Sequence, residues 1–150
     1  MNIAIHVNDF KNEHIFFCLP VKNTIIKEGK FTKLIYSNSI LSLNSIYIEI
    51  PIRFLYIERY FNKIKYSFNI EDFHNKEIIE KLYSIERTIL EKINIEKKPL
   101  LQLFNKLNRG VIIMDIERDY HLDSRDRCLV LKISGVWETK YNYGLTFKIM

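Results

Sequence analysis

Asp115, Glu117 and Asp119 alternate along the chain. On an extended backbone alternate side chains share a face. The three carboxylates would then stand in one row, and a row of hard oxygen donors suits Mg²⁺. His121 and Asp123 follow closely enough to join it. The competing reading is a strand end that runs into a charged surface loop, with Arg118, Arg125 and Arg127 balancing the acids. The near absence of apolar residues from Glu117 to Arg127 favours the loop. His6, His14 and His74 are scattered and match no zinc spacing. Cys18 and Cys128 are the only cysteines. They are too few for a disulfide framework and read as buried free thiols. No serine sits in a Gly-x-Ser-x-Gly setting, and no glycine-rich phosphate loop occurs. The expectation is a non-enzymatic chain that uses no cofactor and no metal.

Basic and aromatic residues point to a different chemistry. Lys30, Lys33, Arg53, Arg59, Lys63 and Lys65 lie in the β-rich first half, interleaved with Phe31, Tyr36, Tyr47, Tyr56, Tyr60 and Tyr66. Lysines on an open strand face follow a phosphate backbone, and rings stack on bases at roughly 1–3 kcal/mol each. The alternative is that the rings fill the core and the lysines only solvate a surface. The C-terminal stretch repeats the mixture. Trp137, the only tryptophan, falls near Tyr141 and Tyr143 at the tip of a hairpin, with Lys140 and Lys148 adding charge. Exposed, these rings would form a stacking platform or a protein-binding patch. Buried, they would cap the core. Gly135 within the strand marks a bulge or a close approach.

The elements that must position these residues follow from periodicity. Ile3 to Val7, Ile15 to Leu19 and Phe31 to Tyr36 have strand character. Ile46, Ile48, Ile50 and Ile52 alternate with Tyr47 and Glu49, and Pro51 makes that stretch an edge strand or a bend. Arg53 to Tyr60 reads either as the end of a bent strand or as one helical turn. From Lys63 to Ile70, Ile64, Tyr66, Phe68 and Ile70 face one side, and Lys63, Lys65, Ser67 and Asn69 the other. The period then changes. Asp72 and Asn75 are both plausible N-caps. Ile78, Ile79, Leu82, Ile85, Ile89, Leu90 and Ile93 recur at helical spacing, which predicts a helix over Lys76 to Ile93 with Glu77 and Lys81 paired. Pro99 fits the first position of a shorter helix that buries Leu100, Leu103, Phe104 and Leu107, closed by Gly110 in the left-handed region. Strands return at Val111 to Met114, Cys128 to Trp137 and Leu145 to Ile149.

Strands, two helices, then strands predict one α+β domain over residues 1–150, mainly antiparallel, with one long and one short helix. The order also suits an OB-like, partly closed barrel. The 150 residues are 47% hydrophobic, with only four glycines and three prolines, which is a core-forming and not a disordered composition. The net charge of +5 favours a polyanionic partner. No apolar run is long enough for a bilayer, and the start lacks a signal-peptide profile, so an intracellular location is expected.

The hairpin Leu131-Lys-Ile-Ser-Gly-Val-Trp-Glu-Thr139, followed by Tyr143-Gly-Leu-Thr-Phe-Lys-Ile149, resembles a small protein recurrent in nucleocytoplasmic large DNA viruses. Pro20 to Ile26, Phe31 to Ser37 and Ile78 to Ile95 look like earlier blocks of the same family. The richness in Ile, Asn, Lys, Tyr and Phe is similar to that of insect poxviruses and giant viruses. The resemblance implies a role near viral single-stranded DNA-binding proteins, in the host cytoplasm or the virion. Some members of that class end in an acidic tail that recruits replication partners, and the Phe147 to Met150 end has none, which counts against a full replicative role. The expected function is sequence-independent binding of single-stranded nucleic acid in viral replication. The alternative is a viral structural or host-interaction protein that acts through a viral or host protein partner. A homodimer is the default, through the terminal strand or the strand carrying Pro51.

Overall fold

The computed structural model describes residues 3–22, 25, 28–115 and 128–150. The long helix α1 (Phe73–Ile93) starts three residues before Lys76, because its first turn is anchored to the chain ahead of it. The Asp72 side chain accepts the Asn75 N–H at 3.1 Å and is the N-cap. Asn75 is buried and does not cap. Its Oδ1 accepts the Arg53 N–H at 2.7 Å, and its Nδ2 donates to the Arg53 and Asn69 carbonyls at 2.9 and 3.1 Å. His74 Nε2 donates to the Pro51 carbonyl at 2.6 Å. Asn94, at φ 53°, ends the helix in the left-handed region that asparagine tolerates. The expected stripe of Ile78, Ile79, Leu82, Ile85, Ile89 and Leu90 is buried, and Glu77 and Lys81 pair at 3.1 Å.

The main sheet contains β1 (Ile5–His6), β3 (Val21–Lys22), β4 (Lys30–Ser37), β6 (Ile46–Ile50), β9 (Lys98–Leu100), β11 (Leu129–Glu138) and β12 (Asn142–Ile149), with β2 (Ile15–Phe17) and β5 (Ser42–Leu43) attached to β4. β11 is its spine. One side pairs antiparallel with β12 along most of its length. The other side pairs first with β6, Leu129 opposite Ile50 through Ile133 opposite Ile46. It then pairs with β4, Gly135 opposite Lys33 through Glu138 opposite Lys30. β4 leaves β11 at its midpoint and continues with β2 and β5. β1 and β9 pair in parallel at the margins, so the sheet is mixed. A smaller antiparallel sheet has the order β10 (Val111–Asp115), β8 (Lys63–Ser67), β7 (Tyr56–Tyr60). No closed barrel forms among the described strands.

This is the α+β class expected, with local differences. Pro99 lies in β9, not at the start of the second helix. A proline lacks a backbone donor, which a marginal strand tolerates. The short helix α2 spans Gln102–Leu107, and Gly110 at φ 75° follows in the left-handed conformation expected of it. The stretch after Arg53 resolves as strand β7, exposed along its whole length. β6 stops at Ile50, and Pro51 marks a bend. Glu117, Asp119, His121 and Asp123, which would complete the expected row, lie outside the described residues.

One continuous core joins the inner faces of both sheets to the helices. Ile15, Leu34, Ile46, Ile48, Ile50, Leu82, Ile89, Leu103, Leu107, Ile112, Leu129, Leu131 and Ile133 are completely inaccessible. Burying a side chain of this size contributes about 1.5–3 kcal/mol. Glu86 is the exception among them. It is completely buried on α1, and its carboxylate accepts the N–H groups of Leu103 and Phe104 at 2.9 and 3.0 Å. It thereby satisfies donors at the start of α2 that have no partner within that helix.

Candidate nucleic-acid interface

Strand alternation sorts the predicted residues onto faces. Even-numbered residues from Thr32 to Tyr36 on β4, and Ile46, Ile48 and Ile50 on β6, point into the core. Leu131, Ile133 and Val136 do so on β11, and Tyr143, Leu145 and Ile149 on β12. The switch of parity between Ile133 and Val136 is a bulge, where the register with β12 slips between Ile133 and Gly135. It sits at the glycine whose sequence position suggested a bulge or close approach.

The opposite, outer face is built from three cross-strand rows. Tyr47, Lys132 and Lys148 lie side by side on β6, β11 and β12. Lys33, Gly135 and Thr146 form the next row, and Val21, Phe31, Trp137 and Gly144 the third. Glycines at two of these positions make room for rings. A Cβ on Gly135 would stand 2.6 Å from Phe31 Cζ, and one on Gly144 would stand 2.8 Å from Trp137 Cζ2. The Phe31 and Trp137 rings therefore lie over bare backbone, a known way to stabilise a glycine in a sheet. Trp137 is oriented further by its Nε1–H, which donates to Gln102 Oε1 at 3.2 Å. Lys132 Nζ stands 5.7 Å from the centroid of the Tyr47 ring, within cation–π range. Among the paired strand positions on this side, Lys33, Lys132 and Lys148 outnumber the one carboxylate, Glu49, so their balance is positive. The side chains of these rows remain half-buried or exposed, the buried residues of α1 and α2 join the core on the other side, and Gln102 at the start of α2 reaches the margin of the face at Trp137. From Lys148 to Gly144 on the unbulged strand the rows span roughly 13 Å at strand rise.

Three of the predicted residues, Lys33, Trp137 and Lys148, are thus brought together. The others are placed elsewhere. Lys30 pairs with Glu138 and stands on the opposite face from Lys33. Glu138 is itself bound by Lys97 Nζ at 2.6 Å. Arg53 follows the bend after β6, its backbone held by Asn75 and its side chain exposed. Lys63 and Lys65 share a face of the small sheet, but Lys65 stands beside Glu58, and Lys63 lies opposite Asp115. The charges of these four paired positions balance. Arg59 points to its other side, in register with Ile64. Lys140 and Tyr141 are at the tip of the β11–β12 turn, with Lys140 Nζ 5.3 Å from the Tyr141 centroid and Tyr141 69% exposed.

Tyr143 requires a correction. It is only 6% exposed, and its hydroxyl donates to the Leu90 carbonyl at 3.3 Å. Burial, reinforced by the Glu91 charge, pushes its phenol above the ordinary range. Its ring joins α1 to β12 and offers no stacking surface. The three rings of the hairpin tip therefore divide between core, outer face and solvent. The cysteines are corrected too. Both are free thiols, but Cys18 is half-buried and Cys128 exposed. Burial of part of the Cys128 side chain, then the nearby Glu49 charge, raises its thiol.

Lys132 was missed as a site residue. The available signal was its alternation with Leu131 and Ile133, which places it opposite the core. A cleft of about 360 Å³ between Ile3, the 41–45 segment that carries β5, and Tyr47 adjoins the same face. Its walls present Ser42, Asn44 and Ser45, and no carboxylate, imidazole or amine. Among the described residues no cluster of three or more His, Cys, Asp or Glu could hold a metal ion. No described helix is long and apolar enough to cross a membrane. No protein-family model matches the chain, and neither a characterised protein nor a solved structure does.

Proposed function

We propose that the protein binds single-stranded nucleic acid without sequence preference on the outer face of its main sheet. The observation that carries this reading is the sharing of one open face by Lys33, Lys132 and Lys148 with Tyr47, Phe31 and Trp137. The lysines neutralise successive phosphates while bases stack on the rings, and any base can stack because each has a π-face. The turn of β4 from β11 toward β2 and β5 supports an analogy with a partly closed OB-like barrel in this mode of binding. A role in the replication of a large DNA virus is the setting that the hairpin resemblance suggests.

Fluorescence anisotropy with labelled oligo-dT and mixed-sequence oligonucleotides tests the reading. Three phosphate contacts give a slope of log K against log salt of about −2 for a single strand. Lys132→Glu with Lys148→Glu should abolish binding, and Lys63→Glu should change it little. Absence of binding at micromolar protein in about 50 mM salt ends the proposal. The second reading, a viral structural or host-interaction protein, is favoured by the exposed apolar side chains around β7. It predicts a protein complex unaffected by the Lys132 and Lys148 substitutions.

A further inference from the structure

β9 covers β12 from Asn142 to Gly144, and β1 covers β6 at Ile48 and Glu49, so the two edges expected to carry a dimer are already partly occupied. The small sheet has two edges among the described residues, β10 and, exposed along its whole length, β7. Among these residues β7 pairs only with β8. Such an edge is a template for another strand unless it is blocked. β7 carries no proline, and Phe61 at its turn is 95% exposed in a left-handed conformation, φ 52°, that bulky residues rarely adopt. Leu55, Tyr56, Ile57 and Tyr60 are exposed beside it.

The hydrogen-bond pattern shows which backbone groups are open. Tyr60 and Lys63 flank a two-residue turn, so they exchange both hydrogen bonds, as do Glu58 with Lys65 and Tyr56 with Ser67. Leu55 N–H also donates to the Ser67 carbonyl at 2.8 Å, a bulge that ends the regular ladder. Ile57 and Arg59 therefore turn their N–H and C=O groups outward.

We infer that two copies of this chain pair through β7, antiparallel about a two-fold axis at Glu58, to form a continuous six-stranded sheet. This is the register that overlaps the whole strand. It pairs Ile57 with Arg59 of the second copy twice, which satisfies all the outward groups. It also sets Tyr56 against Tyr60 twice and brings Phe61 opposite Leu55 at both ends. Each exposed apolar residue of the strand thereby gains a partner, and cross-strand aromatic pairs are favourable. The two Glu58 side chains meet at the axis, but each has Lys65 beside it in its own sheet, so charges in the row run plus, minus, minus, plus. A register centred on Arg59 would instead bring two guanidinium groups together without such partners and would draw Phe61 out of the turn. One centred on Ile57 would use the bulged Leu55. The pairing is independent of the nucleic-acid reading, since it leaves the outer face of the main sheet free.

Light scattering at micromolar concentration, without nucleic acid, should give twice the chain mass. Ile57→Pro removes an outward N–H and leaves the β7–β8 hydrogen bonds intact, so it should give a folded monomer. In a Cys18→Ser, Cys128→Ser background, Glu58→Cys should form an intermolecular disulfide in most of the protein under mild oxidation, because facing residues at a non-hydrogen-bonded pair approach closely. A monomeric parent overturns the inference. So does a dimer that persists in folded Ile57→Pro, or one in which Cys at position 58 stays reduced. If Ile57→Pro fails to fold, the cross-link alone decides.

Discussion

Glu86 gives the sharpest test of how the helices are held. Replacing it by Leu keeps most of its volume but removes both acceptors, leaving the Leu103 and Phe104 N–H groups without their carboxylate. An unsatisfied buried donor costs about 1–3 kcal/mol. Two of them sum to about 2–6 kcal/mol, and the desolvation penalty that an ionised Glu86 carries is recovered in part. A net loss of about 3 kcal/mol is expected, a fall in Tm of about 6–12 °C for a chain of this size. Urea unfolding followed by far-UV circular dichroism gives the free energy. Trp137 fluorescence gives a local readout, because Gln102 at the start of α2 accepts the indole N–H. Glu86→Gln retains one acceptor and removes the charge, so it should lose less. The pH dependence has a definite sign. Desolvation raises the Glu86 carboxyl above its ordinary value and outweighs the two N–H donors, which lower it. The folded state therefore takes up this proton before the unfolded state does. At neutral pH the ionised Glu86 therefore supports the fold less than its protonated form does. The parent should gain on Glu86→Gln as pH falls through the raised value, levelling off below the unfolded value of about 4.3. A Glu86→Leu protein as stable as the parent, with unchanged tryptophan emission, would refute the account of α2. A parent that loses ground to Glu86→Gln on acidification would refute the sign.

Gly135→Ala would place a Cβ 2.3 Å from the Thr32 carbonyl oxygen, which is backbone and cannot rotate away. A loss of about 1–3 kcal/mol is expected from denaturant titration, as for other overpacked sites. Deleting Leu145 to Met150 removes most of β12 and of its pairing with β11, with the buried Leu145 and Ile149. The truncated chain should show no cooperative thermal transition, and a sharp one would contradict the role assigned to β12.

Much of the fold was legible because it is written in local periodicity. The 3.6-residue recurrence from Ile78 to Leu90 marked α1, and Asp72 marked its cap. The period-two alternation from Ile46 to Ile50 and from Ile64 to Phe68 identified both the strands and their buried faces. Pro99 was misplaced because one residue type suits both a helix start and a marginal strand, and the choice depended on β12 lying alongside. Tyr143 and Trp137 are six residues apart, and the bulge at Gly135 decides which of them faces inward. Composition cannot distinguish them.

The candidate site belongs to the second kind of information. That Lys33, Lys132 and Lys148 share a face with Tyr47 and Trp137 depends on the register of strands about a hundred residues apart, and a slip of one residue would send every side chain of a strand to the other face. The balance of Lys63 and Lys65 by Asp115 and Glu58 has the same origin, and so does the burial of Glu86 against a helix that begins sixteen residues later. The sequence by itself determined the long periodic segments, such as α1, β6 and β8, and which side of each is apolar, since both follow from spacing along the chain. Only the tertiary structure decided which polar sides are neighbours, because charge and ring chemistry act through space, and that proximity is set by the packing of the core beneath them.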